Sequence, residues 1–234
     1  MNLILLDEKS IHEGKVEITG RKFDHILSCI KPAVGDTLKT GILNGLMGEG
    51  VVIDAGDKRL ILYLAMRDNP PAPLPLRLIL AMPRPKVLNR VLQHVTSMGI
   101  KEIYIIKTWR VEKSYWGSPV IDPENLRSQM MLGLEQGKDT VMPVIQIRKR
   151  FKPFVEDELP SIIKDGLALV SHPEAESACP HRVDLPVTLA LGPEGGFIPY
   201  KIDALQDIGF KAVSLGARIL RVETALPFLI GRLF

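Results

Sequence analysis

The stretch LALGPEGGFIP, residues 189–199, runs as a continuous apolar segment and then stops at Gly192-Pro193-Glu194-Gly195-Gly196. Three glycines and a proline within five residues make a tight loop, because glycine reaches backbone conformations closed to other residues and proline fixes its own. The apolar run leading into it, VTLALG, is of the kind found in strands buried on both faces. The residues beyond it, YKIDALQDIG, have helical spacing. A glycine loop between a strand and a helix is where α/β sheets hold ligands. It is neither G-x-G-x-x-G nor a P-loop, since no Gly-Lys-Ser/Thr follows. Glu194 at its centre repels phosphate and suits a ligand with a positive centre or with hydroxyls to donate. A plain strand-to-helix turn is the alternative.

Strand–helix alternation extends on both sides of this loop. LRLILAM reads as a strand, and Leu88, Val91, Leu92, Val95 and Met98 form a helical stripe ending near Gly99. KEIYII is a strand, and Asp122-Pro123 is an N-cap followed by proline at the first helical position, opening a helix to about Gln136. GLALVS and KAVSLG are further strands. ARILRVETALPFLIGRLF is expected to be mostly helical, with Pro227 kinking or interrupting it. The alternation predicts an α/β fold, a parallel sheet with helices on both faces, over residues 76–234.

Upstream the period changes. KVEIT, DTLKTGIL, GEGVVIDAG and KRLILYLAM alternate apolar and polar residues between Gly and Asp turns, which predicts a small β-barrel over residues 1–68. One helix is expected over 21–30, where Phe23, Ile26, Leu27 and Ile30 share a face. Between the two regions, residues 70–75 contain four prolines, so 69–75 is expected to be a stiff linker.

Composition narrows the class. Charged residues are 24% and hydrophobic residues 46% of the 234, which fits a folded rather than a disordered chain. Cys29 and Cys179 are far apart and accompanied by no metal-ligand spacing, so a disulfide and a metal are not expected. No run of 18 apolar residues appears, and the opening MNLILLDEKS lacks a basic flank, so a cytoplasmic protein is expected. The net charge of +3 is unevenly spread: −1 over residues 1–68, +8 over 76–154 and −4 over 155–234. That distribution suits either a polyanion-binding face or scattered solvated charge.

SLGARILRVETA, residues 214–225, is a second strand-to-glycine transition, with Arg218, Arg221 and Glu223 following Gly216. On a helix Arg218 and Arg221 would be neighbours, and two adjacent cations call for an anion, either a protein carboxylate or a phosphate. LGPEGGF followed about twenty residues later by LGARILRVETA resembles the bacterial small-subunit (16S) rRNA uridine-N3 methyltransferases, the methyltransferase E family of the SPOUT class. FDHILSCIKPAVGD, RPKVLNRVLQHVTSMGI and LEQGKDTVMP are similar to the family's N-terminal helix and Gly-Asp turn, its basic helix and its Glu-Gln motif, so the resemblance spans nearly the whole chain. It departs at Ser97-Met98, where the family usually has Glu-Leu, at Lys138-Asp139-Thr140, where an arginine usually follows, and at Ile198-Pro199, in place of a Ser/Thr helix cap.

The resemblance implies a SPOUT-type α/β knot over 76–234, preceded by a PUA-like β-barrel that helps hold RNA. It also implies a homodimer with S-adenosyl-L-methionine bent among three loops beside the interface. The first loop contributes Ser171 and His172, ahead of Pro173. The second contributes Leu191, Gly192, Pro193, Glu194, Gly195 and Gly196. The third contributes Leu215, Gly216, Ile219 and Leu220, with Thr224 and Ala225 beyond. The sulfonium, ammonium and ribose of that cofactor suit a loop centred on a carboxylate. The implied partner is 16S rRNA in the small ribosomal subunit, with His25, Lys31, Arg84, Lys86 and Arg90 as its contacts; His94 faces either RNA or solvent. Methylation of uridine N3 needs the N3 proton removed and charge on the uracil oxygens stabilised. Arg221 or Arg218 would supply that stabilisation or grip a phosphate. Glu194 or Glu223 would assist the deprotonation; Glu223 is the first candidate base, ahead of water, with a structural salt bridge as its alternative role. Two other readings are open to the sequence: a methyltransferase of another RNA such as tRNA, and a non-catalytic RNA-binding ribosome-assembly protein.

Overall fold

A computed structural model describes residues 2–109 and 111–234. The chain divides into two compact units, Met1–Ala72 with Thr96–Gly99 and Met130–Met142, and Pro73–Val95 with Ile100–Gln129 and Pro143–Phe234.

The first unit is built on a six-stranded sheet. Its strands are β1 (Ile4–Leu6), β2 (Ile11–His12), β3 (Lys15–Thr19), β4 (Thr37–Ile42), β5 (Met47–Ala55) and β6 (Arg59–Asp68), in the order β1-β4-β5-β6-β3-β2. All pairings are antiparallel except β1 with β4. Alternation sorts the side chains: Val16 and Ile18 of β3, and Leu60, Leu62 and Leu64 of β6, point into one core. The helix α1 (Gly20–Cys29) adds Phe23 and Ile26 to that core. Its predicted stripe was too wide. Leu27 and Ile30 are exposed, because the helix presents only the Phe23–Ile26 edge to the sheet.

The second unit carries a six-stranded parallel sheet: β7 (Leu76–Ala81), β8 (Glu102–Ile106), β9 (Val144–Arg148), β10 (Leu167–Ser171), β11 (Val187–Leu191) and β12 (Lys211–Val213), in the order β12-β10-β11-β7-β8-β9. The apolar run ending at the glycine loop is β11, buried along its whole length beside β7. Both faces of the sheet are covered, since the alternating sets Ile79, Ala81, Ile106 and Leu78, Leu80, Ile105 are all buried. Between the strands run α2 (Pro85–Ser97), α3 (Pro123–Gly137), the short pieces α4 (Phe151–Pro153) and α5 (Leu159–Ile162) joined by a π-helical turn, α6 (Pro199–Asp207) and α7 (Val222–Leu233). Leu88, Val91, Leu92 and Val95 of α2 are buried as their spacing predicts, and Gly99 turns the chain at φ +85°.

The C-terminal segment corrects two expectations. Residues 217–221 are not helical; α7 begins at Val222, with Arg221 as its extended N-cap (φ −70°, ψ 156°). Arg218 and Arg221 therefore do not share a helix face. Pro227 does not interrupt α7, which runs through it. The buried face of Val222, Ala225, Leu226, Leu229, Ile230 and Leu233 holds the helix where one backbone donor is missing.

Lys201, on α6, is buried, with Nζ 4.1 Å from the centroid of the Phe151 ring. Burial pushes its pKa down to about 8 from an ordinary 10.5. Between those values the unfolded chain binds the proton and the folded chain does not, so stability rises with pH across that window. The charging penalty, about 3 kcal/mol at neutral pH, exceeds the roughly 1–2 kcal/mol of a cation–ring contact. Lys201→Met is expected to raise the melting temperature at pH 7 by a few degrees, and by less at pH 10. An equal or larger gain at pH 10, read by scanning calorimetry on both proteins, contradicts this.

Candidate cofactor and nucleotide site

Because every strand of the second sheet is parallel, all its carboxyl ends meet one edge. The strand order reverses between β11 and β7, since the chain leaves β7 toward β8 and β9 but lays β10, β11 and β12 on the other side. Ligands of open α/β sheets sit at such reversals. The loops after β10, β11 and β12 converge on the β11 side of that reversal and line one cavity.

Most of the residues expected to hold the cofactor come together in it. Ser171, His172 and Pro173 arrive from β10, Leu191, Gly192, Pro193, Glu194 and Gly196 from β11, and Leu215, Gly216, Ile219 and Leu220 from β12. Ala225 lines it from α7, with Val222, which the sequence reading did not single out. Gly195 and Thr224 do not line it, and Thr224 is exposed on α7.

The loop glycines have distinct reasons. A Cβ on buried Gly192 would lie 2.9 Å from the Phe197 backbone nitrogen, so a side chain there collides with the loop itself. Gly196 (φ +70°) closes the turn, donating its N–H to the Pro193 carbonyl at 2.7 Å. Gly216 (φ +101°) lies in the third loop, likewise in left-handed backbone. A Cβ on either would meet nothing within 4 Å, so conformation, not space, selects glycine there. Around these lie Leu191, Leu215, Leu220 and Val222. Glycine backbone for close approach and apolar walls for a flat base are what an adenosyl ligand asks of a site.

A second cavity of about 670 Å3 adjoins the first, lined by Arg84, Pro85, Lys86, Val87, Arg90, Tyr115, Glu194, Arg221 and Glu223. Its size falls within the range of small-molecule sites. Glu194 and Arg221 border both cavities, whereas Arg218 borders only the first. Glu194 accepts a hydrogen bond from the Arg84 backbone N–H at 3.1 Å, which ties the glycine loop to the turn after β7. Glu223, in the first turn of α7, pairs with Arg90 of α2 at 3.5 Å, not with Arg218 or Arg221. The Glu223 side chain is 19% exposed and that of Arg90 58%.

Tyr115 is the cavity residue the sequence did not mark, since SYWG has no period and no motif. It sits on a 3-10 turn, Lys113–Gly117, and its hydroxyl donates to Glu112 at 3.1 Å. Burial, then that bond and the Glu112 charge, raise the phenol's pKa, so it remains a neutral donor. His172 accepts the Glu174 N–H on Nδ1 at 3.3 Å. His94 is exposed on α2 and lines neither cavity. His25 and Lys31 belong to the first unit and are exposed there, His25 with its ring 3.8 Å from the Cys29 sulfur. Cys179 is buried, Cys29 exposed, and both are free thiols. Among the described residues no cluster of three or more His, Cys, Asp or Glu could hold a metal, and no helix is long and apolar enough to cross a membrane.

Residues 70–233, which carry both cavities, match the RNA methyltransferase domain family. The chain belongs to that family. It is 29% identical to ribosomal RNA small subunit methyltransferase E of Treponema pallidum, over 96% of this chain and 87% of that protein. It is 26% identical to ribosomal RNA small subunit methyltransferase E 1 of Borreliella burgdorferi, over 96% and 94%. The crystal structure of ribosomal RNA small subunit methyltransferase E from Neisseria gonorrhoeae, bound to S-adenosyl methionine, has the same fold, with a TM-score of 0.76 at 19% identity over 98% of this chain and 95% of that one. The parallel α/β sheet and the RNA methyltransferase family thus agree with what the paired loop motifs lead one to expect.

The Arg90–Glu223 pair can be weighed directly. With one partner largely exposed, its coupling should fall within roughly 0.2–1 kcal/mol. A double-mutant cycle of Arg90→Ala and Glu223→Ala, followed by urea unfolding, checks this. A coupling well above that range would make the pair a structural clamp.

Proposed function

We propose that the protein is an S-adenosylmethionine-dependent methyltransferase that modifies N3 of a uridine in 16S rRNA of the small ribosomal subunit. The observation that carries this reading is the junction at Glu194 and Arg221, where a glycine-walled cavity meets one lined by four cations and two carboxylates, those two residues among them. The loops after β10, β11 and β12 would hold the cofactor, which when bound supplies an electrophilic methyl group. The adjoining cavity would take the uridine.

The chain's own residues then have defined work. Arg221, bordering both cavities, faces the negative charge that appears on the uracil oxygens as N3 loses its proton. Glu223 is the candidate acceptor of that proton, its carboxylate oriented by Arg90. Arg84 and Lys86, exposed at the start of α2, would bind phosphates and position the nucleotide. Arg218 would serve the cofactor cavity only. The N-terminal sheet, read as a PUA-like domain over 1–68, would hold RNA through His25 and Lys31. The SPOUT knot and the homodimer complete this reading on the strength of family resemblance.

The test separates chemistry from binding. Arg221→Ala is expected to slow single-turnover methylation of 30S subunits roughly a hundred- to a thousandfold, with S-adenosylmethionine affinity changed far less. Arg221→Lys should recover only part of the rate, because the ammonium lacks the planar fork. If affinity collapses while saturated turnover stays normal, Arg221 is a cofactor anchor. Mass mapping of rRNA from cells lacking the protein should show one missing uridine methyl group. An intact 16S rRNA with a missing tRNA methyl group would move the substrate to tRNA.

The cofactor reading has its own check. Gly196→Val forces a β-branched residue into left-handed backbone, so calorimetric binding of S-adenosylmethionine should weaken at least tenfold while the sheet still unfolds cooperatively. Tight binding by this variant would place the cofactor elsewhere.

A further inference from the structure

The basic half of the sheet edge extends beyond the nucleotide cavity. Strands β7, β8 and β9 end in register, Ala81 opposite Ile106 and Ile106 opposite Arg148. The register persists one step past the strands: the Met82 N–H donates to Ile106 O and the Lys107 N–H to Arg148 O, both at 3.0 Å. Lys107 and Trp109, leaving β8, are thereby held at the same edge as Lys149 and Arg150, leaving β9. Trp109 is 82% exposed. Two cations of this stretch are satisfied internally, Arg148 by Glu158 at 2.7 Å and Lys152 by Glu156 at 3.7 Å. Among the described residues no carboxylate pairs with Lys107, Lys149 or Arg150.

We infer that this edge is a second RNA-contact surface, on which single-stranded RNA flanking the target nucleotide stacks a base on Trp109 and lays its phosphates against Lys107, Lys149 and Arg150. The inference rests on the reading of RNA as the substrate. An indole left in water beside unpaired cations is the pairing by which proteins hold single strands, the ring for a base face and the cations for the backbone. A protein partner fits less well: tryptophan and arginine are common at protein interfaces, but lysine is depleted there and two of these three cations are lysines. The position suits a flank of the substrate. From β11, whose following loop carries Glu194, to β9 is three strand spacings, about 14 Å, a reach of a few nucleotides.

The test uses the full chain and an oligouridylate of about twelve nucleotides, within the usual length of single-strand sites. Trp109→Ala should weaken binding roughly ten- to a hundredfold, with S-adenosylmethionine affinity and melting temperature unchanged, and Trp109→Phe should restore most of it. Replacing Lys149 and Arg150 by alanine should reduce the slope of log affinity against log salt by about 1.4, the value for two single-strand phosphates. Wild-type affinity in Trp109→Ala overturns the inference. So does joint loss of RNA and cofactor binding, which marks a structural role, and so does loss of self-association in sedimentation with RNA binding intact, which marks a protein interface. If the wild-type chain itself fails to bind the oligonucleotide at any salt concentration, the RNA reading falls first.

Discussion

The pairing of β11 with β7 is the constraint on which the site depends. Its register, from Val187 opposite Leu76 to Leu191 opposite Leu80, sets the glycine loop beside the turn that begins α2. These strands are far apart in sequence, so the pairing carries a closure entropy that local contacts cannot offset. Continuous apolar burial of both strands, on both faces of the sheet, supplies the compensation. A one-residue slip would turn the buried set over and carry Glu194 away from the Arg84 N–H. Core packing and site geometry are therefore fixed by one event.

Within that frame the two glycine-bearing loops divide the work differently from what their composition suggests. The loop after β11 is closed internally, by the Gly196–Pro193 bond, and externally, by Glu194 on Arg84. The segment after β12 has no comparable closure between Gly216 and Arg221. It bends at Ala217 and Arg218 and enters α7 from an extended Arg221, whose carbonyl accepts from both the Thr224 and Ala225 N–H groups. Arg221 is thus pinned by its backbone at a helix start while its side chain borders both cavities. Arg218, three residues earlier, lacks that anchorage. The distinction between the two arginines comes from where α7 begins.

That boundary is also where the sequence was least legible. Residues 215–226 have helix-compatible composition, and Gly216 followed by Ala-Arg-Ile-Leu-Arg offers no N-cap side chain to mark Val222 as the first helical residue. Proline at 227 argued for a break that the apolar face of α7 overrides. The long buried strands were legible, because continuous apolar runs between glycine and proline punctuation have few alternatives. β9 was missed. Its burial is only partial and Val144 is exposed, as befits an edge strand with a mixed pattern. The glycine loops are legible as motifs, but Tyr115 is not, since it reaches its cavity from a 3-10 turn that no periodicity announces. The sequence marks Arg90 as a phosphate contact and Glu223 as a base; that the two meet depends on where the fold brings the sides of α2 and α7 that carry them.

The order of the strands also sorts the charge. The segments leaving β7, β8 and β9 carry Arg84, Lys86, Lys107, Lys149 and Arg150, while those leaving β10 and β11 carry Glu174, Glu176 and Glu194. The +8 block of residues 76–154 therefore becomes a basic half-edge in space, because its loops emerge from neighbouring strands and not merely because they are neighbours in sequence. A polyanion is drawn to that half, while the carboxylates beyond β10 and β11 repel it. Glu194 and Glu223 stand at the boundary. A phosphate approaching them meets carboxylate, whereas an uncharged base carries N–H groups that can donate to it. On the proposed reading, the reversal of strand order would separate the surface that holds a backbone from the cavity that accepts a base, with Arg221 as the cation on the far side of that line.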